Sequence, residues 1–499
     1  MMNLFLKNKY LLIIILIFLI SNISSFSLNF GMRDDYPFLN LVHTNINFIQ
    51  SQNNINGRPL NGLLLQAVFN RLQYISEFRY IRMISFIGVI FLLIILDKIF
   101  SQYDLNQIEK IYLLISLVTL PSINLYINWA VCSMVPFALL LAAISSICVF
   151  NIYDIVKSRF ILKIICSIFC LTASILIYQP ASMYYFVISY IYLYFPIING
   201  KKEKKHFSAM IIIFLIALLI AWLMMLLIGA NKSPRAALIN FEKLPLKLVW
   251  FARDVIPYSL NFNLLINNKI IPAVLLLLIV IGFLFMEKSI TKILINIVVY
   301  FLLIILSYFP NLIVSENWAS YRTQVAISSL FLLMGFLGIR NIVTYFNKQN
   351  YKTGGLIKKI YLFGLLLLIV LNVSWYTYNQ IVYITFPQSV EIAYIKNLLA
   401  TKVNKKTTNT IYFIRPTNED AITRCVFDEF GCLSSEPQWS PANIIKLLLR
   451  ELNYKKDVKI IILPPKSQTP QLNEDEIAIN LSKIKTFRLI NNHYYHYPK

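Results

Sequence analysis

Apolar residues are gathered in eleven long runs separated by short polar breaks, at about 10–27, 80–97, 111–127, 130–150, 160–177, 181–198, 207–229, 270–286, 291–309, 323–341 and 358–379. Each run has roughly 17 to 23 residues, and as a helix rising ~1.5 Å per residue it crosses the ~30 Å hydrocarbon core of a bilayer. The pattern predicts an α-helical polytopic membrane protein with eleven spans. The first run follows Lys7 and Lys9 as the apolar core of a signal peptide would. Ser21 to Ser25 offers no small-x-small cleavage site, so the run reads as an uncleaved span.

After residue 380 the pattern changes. Eleven of the 23 carboxylates fall in this last part, against twelve in the 380 residues before it. Short mixed runs predict a small α/β domain: a helix near 388–401, strands near 411–414, 458–463 and 487–490, and a helix opened by Ser440, whose hydroxyl is placed to cap, with Pro441 at its first position. The chain thus divides into a transmembrane domain, 1–380, with a first outer loop at 28–79, and a C-terminal α/β domain, 381–499.

Composition excludes an ordinary soluble protein: 58% of residues are hydrophobic and the mean hydropathy is +0.64. The net charge of +23 then serves orientation rather than nucleic acid. With the N-terminus in the cytoplasm, alternate loops on that side carry Lys98 and Lys110; Lys157, Arg159 and Lys163; the Lys201-Lys202-Glu203-Lys204-Lys205 run; Lys288 and Lys292; and Arg340, Lys348, Lys352, Lys358 and Lys359. The short loops at 122–130 and 178–182 carry none. Loops 28–79, 231–269 and 310–322, and everything after about residue 380, fall outside the cytoplasm. Cys132, Cys148, Cys166 and Cys170 read as apolar packing residues. Cys425 and Cys432 lie in the exported domain, where an oxidising compartment permits a disulfide closing a short loop. A zinc site would need two further ligands, and neither His493 nor His496 has a diagnostic spacing.

Elimination narrows the candidate chemistry. Of the twelve carboxylates in the membrane domain, Asp97, Asp104, Glu109, Asp154, Glu203 and Glu287 fall near the cytoplasmic face, leaving Asp34, Asp35, Glu77, Glu242, Asp254 and Glu316. Only Asp34 and Asp35 are adjacent. Their side chains diverge in an extended segment, so one can face a site while the other holds a backbone amide or a cation; a solvated loop pair is the other reading. Arg58 lies just before Pro59, where Leu60, Leu63, Leu64, Ala67, Val68, Leu72 and Ile75 predict an interfacial helix. It reads either as an anion-binding residue at a helix start or as an ordinary anchor. Loop 231–269 holds Lys232, Arg235, Lys243, Lys247, Arg253 and Lys269, against the inside-positive trend, so phosphate binding and interfacial snorkelling both fit. Loop 310–322 supplies Glu316, Trp318, Tyr321 and Arg322, a mixture found in aromatic belts and also needed to hold a saccharide.

The Asp pair behind the first span, Gly57-Arg58-Pro59, the many spans and the exported Asp428-Glu429-Phe430-Gly431, Ser434-Ser435 and Pro437-Gln438-Trp439-Ser440-Pro441 stretches resemble the serotype-converting O-antigen glucosyltransferases of enteric bacteria and their phages, in the GT-C superfamily. The resemblance implies a bacterial inner-membrane hexosyltransferase. Its donor would be polyprenyl-phosphate-glucose, its acceptor a hydroxyl of lipid-linked O-antigen on the periplasmic face, and its neighbours membrane lipid and proteins that synthesise and flip the donor. Asp34 or Asp35 would be the acidic catalytic residue of the first outer loop. The resemblance does not choose the phosphate-binding cation; from the residues, Arg58, Arg235, Arg253 and Arg322 are the candidates in that order, Glu316, Trp318 and Tyr321 are candidate saccharide contacts, and an inverting displacement is the preferred reaction. No cofactor is expected, and a divalent metal at the Asp pair lacks an identifiable third ligand. Another polyprenyl-phosphate-sugar transferase or an O-antigen polymerase shares this chemistry. A glycan flippase would place ionisable residues at mid-span, where these runs have almost none, and a scaffold that binds another envelope protein would consume no donor.

Overall fold

The computed structural model describes residues 9–150, 157–196, 206–229, 237–265, 268–285, 289–349, 354–426, 429–454, 457–481, 484, 487–490 and 493–496. Lys7, Asp154, residues 201–205, Lys232, Arg235, Glu287, Lys288, Lys352 and Asp428 lie outside them. Every apolar run carries helix, but not every run is one long helix. Among the described residues seven helices are long and apolar enough to cross a membrane, or eight if Gln107–Val118 and Pro121–Asn128, bent by 52°, form one span.

The remaining runs are shorter or broken, for local reasons. The first divides into Lys9–Ser21 and Ile23–Ser27 at Asn22, a buried residue whose amide donates to Phe18 O and accepts from the Tyr376 hydroxyl. The sixth is divided into the end of Gln179–Ser182 and Tyr184–Tyr194, and stops there because Phe195 precedes Pro196 and turns extended. The eighth covers Ile270–Leu284. The bend in the third has the same cause as the end of the sixth: Leu120 precedes Pro121 and leaves the helical region.

Hydrogen bonds sort the connecting segments into two sets. On one side Tyr10 donates to Asp97, Arg340 pairs with Glu109 at 3.1 Å and Asp104 at 3.4 Å, and Tyr361 donates to Glu109. On the other, the first outer loop meets segments 128–132, 178–182 and 431–443, while segments 237–263 and 313–322 meet each other and residues 119–126.

The loop 28–79 is itself helical: Asp35–Leu41, Phe48–Ile55 and Pro59–Phe69. Pro59–Phe69 buries Asn61, Gly62, Leu65, Gln66 and Phe69, and Leu60, Leu64 and Val68 pack partly buried against the same core, so of the expected lipid-facing stripe only Leu63, 53% exposed, and Ala67 are open. The buried polar groups are satisfied: Asn61 donates to Asn53, and Gln66 accepts from the N–H groups of Ile49 and Gln50.

The C-terminal domain carries a three-stranded parallel sheet: β1 (Thr410–Ile414), β2 (Lys459–Leu463) and β3 (Glu476–Asn480), in the order β2-β1-β3. Phe413 lies between Ile462 and Ile479 in the register. Helices Phe386–Lys402 and Pro441–Glu451, joined by the Lys396–Glu451 ion pair at 2.7 Å, pack Ile444, Ile445 and Leu448 into the same core. The three expected strands are present as β1, β2 and β4 (Phe487–Ile490); β4 pairs with β5 (His493–His496) in a separate antiparallel hairpin, and β3 is a strand the sequence pattern did not indicate. One expectation is corrected. Pro441 does open its helix, but the Ser440 hydroxyl makes no cap; it donates to Arg33 O at 3.3 Å.

Candidate functional site

The chain leaves its first helix through Leu28–Arg33, a segment fixed by a buried arginine that the sequence reading passed over. Arg82 donates to Phe30 O at 2.7 Å and Leu28 O at 2.9 Å, with its guanidinium 3.9 Å from the centre of the Phe30 ring. At Arg33 the backbone enters the left-handed region, φ 37°, which turns the two following carboxylates apart.

Asp35 is fully buried. Its Oδ2 accepts from Met32 N–H at 2.8 Å and Ala130 N–H at 3.2 Å, and its Oδ1 from Val131 N–H at 2.9 Å. Burial pushes its carboxyl up to about 7, while the three amides pull it down and the charge of Asp34 adds to the rise. Asp35 therefore holds the outer loop to the turn after Asn128. Asp34 is half-buried, and its Oδ1 accepts from the Trp439 indole N–H at 3.0 Å. The pair thus divides into one carboxylate that builds the loop and one presented at its surface. A carboxylate offers about four lone-pair positions, so Asp34 can also accept from an incoming hydroxyl.

Two of the four candidate cations stand on aromatic rings in one connected cluster. Arg58 lies 4.6 Å from the Tyr178 ring centre, and Gly57 O beside it accepts from the Gln179 amide. Arg322 lies 4.6 Å from the Trp129 ring centre and pairs through Nε with Glu429 Oε1 at 3.3 Å. The Tyr126 hydroxyl donates to Arg322 O, and its ring packs edge-on against Tyr178 at 6.5 Å. Burial raises the Tyr178 hydroxyl, and the charges of Arg58 and then Arg322 both oppose it. Arg253 is not gathered in: its side chain is 73% exposed and it pairs with neighbouring Asp254 at 3.0 Å. Arg235 lies outside the described residues.

The saccharide candidates also separate. Trp318 is exposed, whereas Tyr321 is buried with its ring edge-on to Phe430 at 5.4 Å and to Tyr258 at 6.3 Å, so it offers no open face. Glu316 O accepts from buried Lys247 Nζ at 2.7 Å, and Asn317 Oδ1 from the same ammonium at 2.9 Å. Burial brings Lys247 down to about 8 against the charge of Glu316.

From the stretches quoted above, residues 429–431, 434–435 and 437–441 latch the C-terminal sheet region to residues 33–34 and 320–322. Glu429 accepts from the Ser320 hydroxyl and from Tyr321 N–H at 3.2 Å. Ser434 and Ser435 N–H groups donate to buried Glu391, each at 2.8 Å, and the Ser434 hydroxyl accepts from Arg33 N–H at 2.9 Å. Cys425 and Cys432 are joined as a disulfide, with Cα atoms 4.4 Å apart. Gly431, at φ 80°, donates to Tyr383 O, and a Cβ there would meet Arg424 O at 2.3 Å. Gly431→Ala is therefore expected to destabilise the latch by about 1–3 kcal/mol, read as faster proteolysis of the C-terminal domain in intact membranes; unchanged cleavage would contradict this. Among the described residues no three His, Cys, Asp or Glu side chains gather as a metal site.

Comparison with protein families, with curated proteins and with solved structures finds no match for this chain. Trp439 is a candidate that the sequence pattern does not flag: it stands between Pro437 and Pro441, and nothing local to it signals a carboxylate 405 positions away.

Proposed function

We propose that the chain is a membrane-embedded glucosyltransferase that moves a glucosyl group from polyprenyl-phosphate-glucose to a hydroxyl of lipid-linked O-antigen. In this reading it crosses the bacterial inner membrane eleven times, with its N-terminus in the cytoplasm and its C-terminal domain in the periplasm. The sorting of polar contacts into two faces supports that alternation. Lys110 and Arg340 lie with the Asp104–Glu109 set, and their charge supports reading that face as the cytoplasmic one by the inside-positive bias.

The observation that carries the reaction is the divided Asp pair. Asp34 is presented beside an aromatic ring, and its neighbour Asp35 reaches, through Ala130 and Val131, the segment of Trp129 in the aromatic cluster that holds Arg58. An acceptor hydroxyl hydrogen-bonded to Asp34 gives up its proton as its oxygen attacks the anomeric carbon. The bond from that carbon to the phosphate oxygen breaks, and the departing polyprenyl phosphate gains a negative charge. Arg58 stabilises that charge. One displacement inverts the anomeric centre, and no nucleotide-sugar pocket is needed at this face. Arg322 is bound to Glu429, so its part is to shape the site.

Membranes containing the protein are expected to move radiolabelled glucose from polyprenyl-phosphate-glucose into lipid-linked O-antigen, and membranes lacking it are not. Arg58→Ala is expected to raise the donor KM about tenfold or more. Absence of transfer by the wild type would remove the reading; an unchanged donor KM would remove Arg58 from the phosphate site.

A further inference from the structure

Trp439 occupies an unusual position for a tryptophan. Its ring is 57% exposed, although an indole is among the largest apolar surfaces a protein can bury. Its neighbourhood is nevertheless fixed. Asn443 donates to Trp439 O at 2.8 Å and accepts from Asn40 at 2.9 Å, while Ser440 and Ser434 hold the two backbone groups of Arg33. Arg33, a non-glycine residue at φ 37°, is kept in a sparsely populated conformation by these contacts from the exported domain. The result is a rigidly mounted open ring whose only polar atom points at the carboxylate of Asp34.

We propose that Trp439 and Asp34 form a saccharide subsite, with Trp439 as the platform for the acceptor sugar whose hydroxyl meets Asp34. The inference deepens the glucosyl-transfer reading and rests on it for the identity of the sugar. A pyranose presents an apolar C–H face and a rim of hydroxyls. The indole face suits the first, and a carboxylate held in the ring plane by the indole N–H suits the second. A tryptophan of the membrane interface would instead turn its N–H to water or headgroups. The exported domain thereby completes the acceptor site, which sits on two segments 405 positions apart.

The test uses the full-length protein in nanodiscs, without donor. The probe is O-polysaccharide released by mild acid from the lipopolysaccharide of the strain that carries the gene, with binding followed by calorimetry. Trp439→Ala is expected to weaken binding about tenfold or more, and Trp439→Phe, which keeps an aromatic face, by about threefold or less. Matched thermal unfolding of the two variants separates lost binding from lost folding. Wild-type affinity in Trp439→Ala, or no binding by the wild type, overturns the subsite. So does emission, taken as wild type minus Trp439→Phe, that is quenched by brominated lipid and unmoved by polysaccharide. Binding through Trp439 in a protein that transfers no glucose would keep the subsite and remove the transferase reading.

Discussion

Asp35→Ala is expected to be the most destabilising single change in the first outer loop. It leaves the N–H groups of Met32, Ala130 and Val131 without acceptors in a fully buried position. At about 1–3 kcal/mol for each stranded donor, the loss is about 3 kcal/mol or more. Asp34→Ala next to it removes one hydrogen bond at the surface and costs about 1 kcal/mol or less. Thermal unfolding in nanodiscs compares the two, and equal midpoints would contradict the division of roles. Asp35 also carries a pH signature. Burial raises its folded-state carboxyl from 3.8 to about 7, so the folded protein keeps a proton that the unfolded chain has released. Its contribution to stability is full below the ordinary carboxylate range and is lost as pH rises toward 7. Asp35→Asn is expected to flatten the wild-type decline over that window.

Glu429→Ala has the second largest expected effect. Arg322 is only 18% exposed and stands over Trp129, so loss of Glu429 leaves a largely desolvated cation without its carboxylate. Breaking such a pair costs about 3 kcal/mol or more. The same change releases the Ser320 hydroxyl and Tyr321 N–H, which tie loop 310–322 to the C-terminal sheet region. Transfer is expected to fall with stability, because the latch that carries Trp439 is loosened. Combining Glu429→Ala with Arg322→Met removes both charges and is expected to recover most of the stability but not the activity. If Glu429→Ala unfolds at the wild-type temperature, the pair is a surface contact.

Much of this architecture is legible along the chain because lipid enforces a local rule. A run of apolar residues must satisfy its backbone internally, so all eleven runs are helical in the described residues. Their breaks are written in the same way, at Pro121 and Pro196. The Asp pair separates, but not in the expected extended segment: Asp34 lies at φ −70°, ψ −14° and Asp35 opens a helix, where successive side chains point about 100° apart. Where local reading misleads, the deciding partner is distant. Leu72 and Ile75 lie beyond the end of helix Pro59–Phe69 and are buried rather than turned to lipid. The Ser440 hydroxyl turns from its own helix to Arg33, and Tyr321 is covered by Phe430. No periodicity encodes the choice of Glu429 for Arg322 or of Trp439 for Asp34. Arg82 escaped notice because a lone arginine near a span end reads as a charge at the lipid boundary, whereas here it holds Leu28 and Phe30 carbonyls.

The central claim is that Asp34 receives the acceptor proton while Asp35 only builds the loop. It is tested most directly by transfer of radiolabelled glucose from polyprenyl-phosphate-glucose to lipid-linked O-antigen, in membranes with matched amounts of wild type, Asp34→Asn and Asp35→Asn. The expected result is transfer by the wild type, a loss of about 100-fold or more in Asp34→Asn with unfolding unchanged, and in Asp35→Asn a loss that tracks its lowered stability. Normal transfer by Asp34→Asn would contradict the claim.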